Sequence, residues 1–215
     1  MGLTQIIAPF FGRRQKAFSA YATQPEAIQD EVLRKLVQKA SATEWGKKYD
    51  YRNVCSYEDF QRVPVQTYDD IKEYVDRMRH GERDVLWPGE VKWYAKSSGT
   101  TNDKSKFIPV TPAGLQNAHY KGAADVVALY LANNPQSRMF KGRGLILGGS
   151  HAPNYNLPGS LVGDLSAILI ENCNPLVNMV RVPEKSIALL SDFEEKMDKI
   201  ARAASAKNVT NLSGV

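Results

Sequence analysis

Two short apolar segments, Val91-Lys-Trp-Tyr-Ala-Lys96 and Lys106-Phe-Ile-Pro-Val110, stand on either side of Ser97-Ser-Gly-Thr-Thr-Asn-Asp-Lys-Ser105. The flanks are rich in aromatic and β-branched residues, which favours extended strands. Nothing between them can enter a core. The fold must therefore bring two strands to the two ends of one polar loop, and those strands fix the loop's ends.

The loop chemistry narrows what it can hold. Ser97, Ser98, Thr100 and Thr101 offer hydroxyls. Gly99 lets the backbone approach a ligand closely or take positive φ. Successive backbone N–H groups in such a turn make an anion-binding concavity. Lys104 and Lys106 add positive charge on flexible stems. Each hydrogen bond to a charged oxygen contributes about 1.5–3 kcal/mol, so a few suffice to hold a polyphosphate tail. The loop is not a Walker A motif, which needs GxxxxGK[ST] opening a helix. Two other readings use the same residues. One is a solvated hairpin turn centred on Asn102-Asp103. The other is a Ser–Lys amidase, with Ser97 or Ser98 as nucleophile and a buried Lys104 or Lys106 as base.

Residues 1–82 read as a mainly helical subdomain, and 83–215 as an α/β portion carrying the loop. Thr23-Gln-Pro-Glu26 has the pattern of a capping box with proline in the first turn. Behind it Ile28, Val32, Leu33, Leu36, Val37 and Ala40 form one helical stripe. Ser56 begins a short helix, and Thr67-Tyr-Asp-Asp70 begins another that runs to about Arg79 and stops at Gly81. Thr111-Pro112 opens a helix expected to turn Leu115, His119, Gly122, Val126 and Leu129 inward, with His119 as a core histidine. Gly144–Leu147 reads as a buried strand running into Gly148-Gly149-Ser150, a turn that either ends the strand or approaches a ligand. Leu165–Ile170 reads as a strand, and Asp164 before it as a helix cap in preference to a site residue. Ser191 is expected to cap a helix with Phe193, Met197, Ile200, Ala201 and Ala204 inward, and Asn208–Leu212 reads as a last strand. Strands alternating with helices imply an α/β fold. Leu212-Ser-Gly-Val215 stops where a strand is expected to feed the next turn. The sheet reads as incomplete, and the chain as a fragment.

Bulk properties remove some functions. The 215 residues are 43% hydrophobic and 24% charged, an ordinary globular composition. The formal charge of +5 suits an anionic ligand. The basic residues are spread along the chain rather than gathered in an aromatic-lined stripe, which argues against nucleic acid. Cys55 and Cys173 form no CxxC or CxxH pattern and read as buried thiols of a reducing compartment. His80, His119 and His151 are too scattered for a zinc motif, so no protein-held metal is expected. The apolar run Val126–Ala132 is too short to span a bilayer. The N-terminus places its basic residues after its apolar ones, unlike a secretory signal. The expected location is cytoplasmic, with no membrane partner.

Ser97-Ser-Gly-Thr-Thr101 followed by Lys106 resembles the phosphate loop of the adenylate-forming superfamily, [ST][ST]G[ST][ST]…K. The longer string from Trp93 to Thr111 resembles the auxin-responsive promoter (Gretchen Hagen) family of acyl acid amido synthetases, particularly its bacterial members. Val63-Pro-Val65, Gly81–Pro88, Leu147–Ser150, Gly163–Ser166 and Asn208-Val-Thr210 support it. Asn102 stands where the superfamily loop commonly has a second glycine. The resemblance implies the large N-terminal domain of an adenylate-forming enzyme, with a helical segment beside an incomplete sheet. It implies ATP and Mg²⁺, a small carboxylic acid and an amine or amino acid as substrates, and an acyl-adenylate intermediate. On that mapping Ser97, Ser98, Gly99, Thr100 and Thr101 bind phosphates and Lys106 supplies catalytic charge. His119, Gly122, Gly148, Gly149 and Ser150 are the acyl-pocket candidates. A non-catalytic module that binds a nucleotide or a partner is the alternative.

Overall fold

The computed structural model describes residues 17–97 and 105–214, together with Gly12 and Arg14. Contacts divide them into two compact units, one of residues 18–111 with 156–161, the other of Gly12, Arg14 and Ala17 with 112–155 and 162–214.

The first unit is helical before it is extended. Helix α1 spans Pro25–Ala40 with proline in its first turn. The expected capping box does not form. The chain is already helical over residues 17–23, and the Thr23 hydroxyl donates back to the Ser19 carbonyl at 2.8 Å. A hydroxyl used within the preceding turn is lost as a cap, and Gln24 holds the N-cap position without a side-chain bond. Of the expected stripe only Val37 and Ala40 are buried, while Val32 and Leu36 are 51% and 50% exposed. Helix α2, Glu44–Lys48, is capped by Thr43, whose hydroxyl accepts from the Gly46 N–H. Helix α3, Tyr57–Phe60, carries the Ser56/Asp59 box. Helix α4, Tyr68–Arg79, starts where expected, with the Thr67 N–H and hydroxyl both donating to Asp70 Oδ2 at 2.7 Å. It stops at Gly81, whose φ of +91° is open to glycine and strained for other residues.

Val75 and Met78 of α4 are fully buried, as are Val85, Val91 and Tyr94. These side chains form the unit's core. Strands β1, Trp93–Lys96, and β2, Phe107–Val110, pair antiparallel with Lys96 opposite Phe107 and Trp93 opposite Val110. The Leu161 N–H donates to the Lys92 carbonyl beside the head of β1.

The second unit opens with a single turn at Pro112–Gly114 and a π-helical segment, Leu115–Tyr120, before helix α5, Lys121–Asn133. This overturns the inward face read from the sequence. A π turn takes an extra residue, so every later position rotates about the axis relative to an α-helical count. Leu115 and Ala128 are buried, but His119 and Gly122 are exposed, and Val126 and Leu129 are 68% and 44% exposed. His119 is thus no core histidine.

Strand β3, Arg143–Leu147, lies at the centre of a parallel sheet. Strand β4, Leu161–Gly163, follows, with the Ala152 N–H donating to the Val162 carbonyl. Residues Leu165–Asn172 form helix α6, not a strand. A short, wholly apolar run carries no period that separates the two forms. Here Asp164 in an extended conformation at the N-cap starts the helix, with Ala167, Ile168 and Ile170 buried. Strand β5 is Arg181–Val182, helix α7 is Lys185–Ala188, helix α8 is Phe193–Ser205 and strand β6 is Val209–Gly214. The sheet order is β5-β3-β6, all parallel, with Gly144 opposite Arg181 and Leu145 opposite Leu212.

Helix α8 departs from its reading in two ways. Asp192, not Ser191, caps it by accepting from the Glu195 N–H. Its buried positions are Lys196 and Ile200, while Phe193 is 73% exposed and Ala201 is also exposed. Both cysteines are free. Cys173 is half-buried, but Cys55 is exposed rather than buried.

Candidate functional site

The polar loop is closed by its first and last described neighbours. The Ser97 N–H donates to the Lys106 carbonyl at 2.9 Å, and the Lys106 N–H donates to Ser97 Oγ at 3.3 Å. These bonds carry the β1–β2 ladder one pair further, so the loop leaves and re-enters the sheet at adjacent points. Ser98, Gly99, Thr100, Thr101 and Lys104 lie outside the described residues.

Helix α4 braces the returning strand. The Tyr68 hydroxyl, at the first position of the helix, accepts from the Phe107 N–H at 2.9 Å. At the other end of the helix, the Arg79 guanidinium stacks 3.7 Å from the centre of the Phe107 ring. Lys106 is exposed, with its amine 5.6 Å from the Tyr68 ring centre. An exposed ammonium suits a point charge for an anion. The amidase reading needs a desolvated lysine against the serine, and Lys106 does not meet that need.

In the second unit, Gly148-Gly149-Ser150 is held from several directions. The Gly149 N–H donates to Ser166 Oγ and the Ser150 N–H to Asp164 Oδ2, both at 2.8 Å. Ser150 Oγ donates to the Leu190 carbonyl. The Lys196 amine donates to the Gly148 and Gly149 carbonyls at 2.6 and 2.9 Å. Position 149 must be glycine, because a Cβ there would fall 2.2 Å from Asp164 Oδ2. Asp164 does sit at the N-cap of α6, but its carboxylate serves Ser150 instead of the helix's own N–H groups. Burial pushes the Lys196 amine below the ordinary lysine range, with Asp164 opposing that effect. The sequence reading missed Lys196. Its only signal was a lysine between Phe193 and Ile200 on the apolar side of a helix.

Two cavities adjoin this turn. The larger, about 810 Å³, lies among the π-helical segment, the end of β3, helix α6 and Arg181. His119 and Gly148 line it, together with Tyr120. The Tyr120 hydroxyl donates to the Leu169 carbonyl at 2.9 Å, and burial pushes it up to about 12. The smaller, about 450 Å³, is lined by Gly148, Gly149, Ser150 and Lys196. The acyl-pocket candidates therefore divide. His119 lines the larger cavity, Gly149 and Ser150 the smaller, Gly148 both, and Gly122 looks into open space.

The model of the GH3 family N-terminal domain matches residues 14–213 of the chain. The chain belongs to the GH3 family. It is 29% identical over 125 residues to the indole-3-acetic acid-amido synthetase GH3.2 of Arabidopsis thaliana, an alignment covering 56% of this chain and 22% of that protein. It is 30% identical over 84 residues to the jasmonoyl–L-amino acid synthetase JAR6 of Nicotiana attenuata, covering 38% of this chain and 14% of that protein. Among solved structures, a GH3.15 acyl acid amido synthetase superposes with a TM-score of 0.69 at 22% identity, over 85% of this chain and 32% of that one. At that identity the likeness establishes the fold, which is the α/β domain of these GH3 proteins. The chain spans about a fifth of the length of the curated relatives it matches.

GH3 membership covers both units. It includes the loop mouth at Ser97 and Lys106 and the cavity beside Tyr120 and Arg181. Among the described residues no group of histidine, cysteine, aspartate and glutamate is placed to hold a metal ion. No described helix is long and apolar enough to cross a membrane.

Proposed function

We propose that the protein to which this chain belongs is an ATP-dependent acyl acid amido synthetase. In the first step a carboxylate oxygen attacks the α-phosphorus of ATP. A P–O bond forms, the bond to the pyrophosphate leaving group breaks, and an acyl-adenylate results. In the second step an amine attacks the acyl carbon and displaces AMP, giving an amide and releasing one proton. Both steps place charge on phosphate oxygens in the transition state, so positioned donors and cations dominate the acceleration.

The chain's own residues supply the first part of that work. Ser97, Ser98, Thr100 and Thr101 would donate hydrogen bonds to the β- and γ-phosphates, Gly99 would allow close approach, and Lys106 would place its ammonium against the phosphate charge. Because relatives are an indole-3-acetic acid-amido synthetase and a jasmonoyl–L-amino acid synthetase, acids of those kinds, with amino acids, are the first substrates to test. Mg²⁺ would enter with the phosphates, because no described carboxylate cluster is arranged for it.

The observation that carries the proposal is the loop mouth. In a GH3 chain, a hydroxyl-rich segment leaves and re-enters the sheet at bonded neighbours, with the Lys106 ammonium exposed beside it. The test is ATP–pyrophosphate exchange by the full-length protein with a panel of carboxylic acids. Exchange that depends on one of the acids supports the synthetase. Calorimetric ATP binding with no exchange for any acid would leave only a nucleotide-binding module.

A further inference from the structure

Tyr68 is the first residue of α4, and the Thr67–Asp70 box before it sets its place locally. From that fixed start its half-buried side chain reaches the edge of the first unit's sheet. The strand order β2-β1-β4 leaves β2 at that edge. Lys106 turns its N–H and carbonyl towards β1, so Phe107, next along, turns its own away from the ladder. The Tyr68 hydroxyl accepts from the Phe107 N–H at 2.9 Å and has the Phe107 carbonyl 3.5 Å away for its own proton. The ring is thereby pinned along the strand, beside residue 106.

The second thing the ring meets is the Lys106 side chain. The amine stands 5.6 Å from the ring centre, within the range over which an aromatic face attracts an ammonium. Lys106 is exposed and joins no ion pair among the described residues. A lysine stem in water spreads over many rotamers, and ordering it costs entropy. A ring face narrows that spread and takes up none of the ammonium's N–H donors. A carboxylate partner would fix the charge by using those donors, and an incoming phosphate would have to win them back. Arg79 of the same helix does not serve in this way, since it is 8% exposed and stacked on the Phe107 ring.

We propose that Tyr68 is a positioning residue for phosphate binding. Its ring, pinned by the Phe107 backbone, holds the Lys106 ammonium at the loop mouth with its donors open to a ligand. The inference rests on the reading that Lys106 meets a nucleotide's phosphates, and it adds the residue that presents this lysine. The competing role is structural, with Tyr68 only fastening α4 to the edge of β2. The hydroxyl suffices for that fastening, whereas presenting the lysine needs the ring.

The experiment compares the full-length wild type with Tyr68→Phe, Tyr68→Leu, Lys106→Ala and the Tyr68→Leu/Lys106→Ala double variant. It reads the calorimetric Kd for ATP·Mg²⁺, kcat/KM for ATP in pyrophosphate exchange, and the melting temperature. Tyr68→Leu removes ring and hydroxyl together, and should raise the Kd and lower kcat/KM about tenfold. Tyr68→Phe loses the same hydroxyl but keeps the ring, and should recover all but about threefold of that loss although it too melts below wild type. In the Lys106→Ala background, Tyr68→Leu should change either constant by no more than about twofold, because the group it acts through is gone. A trifluorinated phenylalanine in place of Tyr68 has nearly the shape of phenylalanine and an electron-poor face. It should melt like Tyr68→Phe and handle ATP like Tyr68→Leu. Wild-type ATP constants in Tyr68→Leu would overturn the assignment. Equal losses in Tyr68→Phe and Tyr68→Leu, or the same loss with and without Lys106, would establish the structural role in its place. The two proposals fail separately. Exchange activity indifferent to Tyr68→Leu removes this inference and leaves the synthetase, whereas ring-dependent ATP binding through Lys106, with no exchange for any acid, does the reverse.

Discussion

Lys106 and Lys196 show how surroundings give one residue type two roles. Lys106 is exposed at the loop mouth, with its amine 5.6 Å from the Tyr68 ring centre. Replacing it with alanine should leave folding intact and cut adenylation more than tenfold, read by pyrophosphate exchange beside a melting curve. An unchanged exchange rate would remove the lysine from the mechanism. Lys196 is buried and bonded to two carbonyls of the Gly148–Ser150 turn. Lys196→Met strands both acceptors and should lower stability by about 2–4 kcal/mol in urea titrations. The pH dependence of this group has a definite sign. Its folded-state value lies below the unfolded one, so above the folded value the native state binds fewer protons than the unfolded chain. Its contribution to stability therefore rises with pH towards the ordinary lysine value and is lost as pH falls through the folded one.

Elements differ in how much of them the sequence discloses, and the difference has physical causes. Helices α3 and α4 were legible because their caps are local: Ser56 with Asp59 and Thr67 with Asp70 bond within one turn. Strands β1 and β2 were legible because their aromatic and β-branched flanks bound a wholly polar loop. Helix α6 was not, since an apolar run of that length has no period. The inward face of α5 was lost to the π turn, and that of α8 to a buried lysine, which a hydrophobic pattern counts as outside. The α4–β2 brace makes a prediction of its own. Tyr68→Phe removes the acceptor for the Phe107 N–H, so it should cost about 1 kcal/mol. Amide hydrogen exchange at Phe107 and Lys106 should quicken, while exchange in the β3 strand stays unchanged.

In each of the two units, burial opposes the ionisation of a tyrosine. Burial raises the Tyr94 hydroxyl well above its ordinary range in the first unit and Tyr120 to about 12 in the second. Both stay protonated in the native state after the unfolded chain has begun to ionise near pH 10. The native state then binds more protons, so stability is full below about pH 10 and falls as pH rises beyond it. Chemical denaturation at successive pH values should show that decline, and Tyr120→Phe should make it shallower. Above these details stands the claim that the loop between β1 and β2 seats a nucleotide's phosphates. The direct measurement is a crystal structure of the full-length protein with a non-hydrolysable ATP analogue and Mg²⁺. The account expects the β- and γ-phosphates within hydrogen-bond distance of the Ser97–Thr101 hydroxyls and backbone, with Lys106 Nζ turned to them. Phosphates bound elsewhere, with Lys106 still in water, would contradict it.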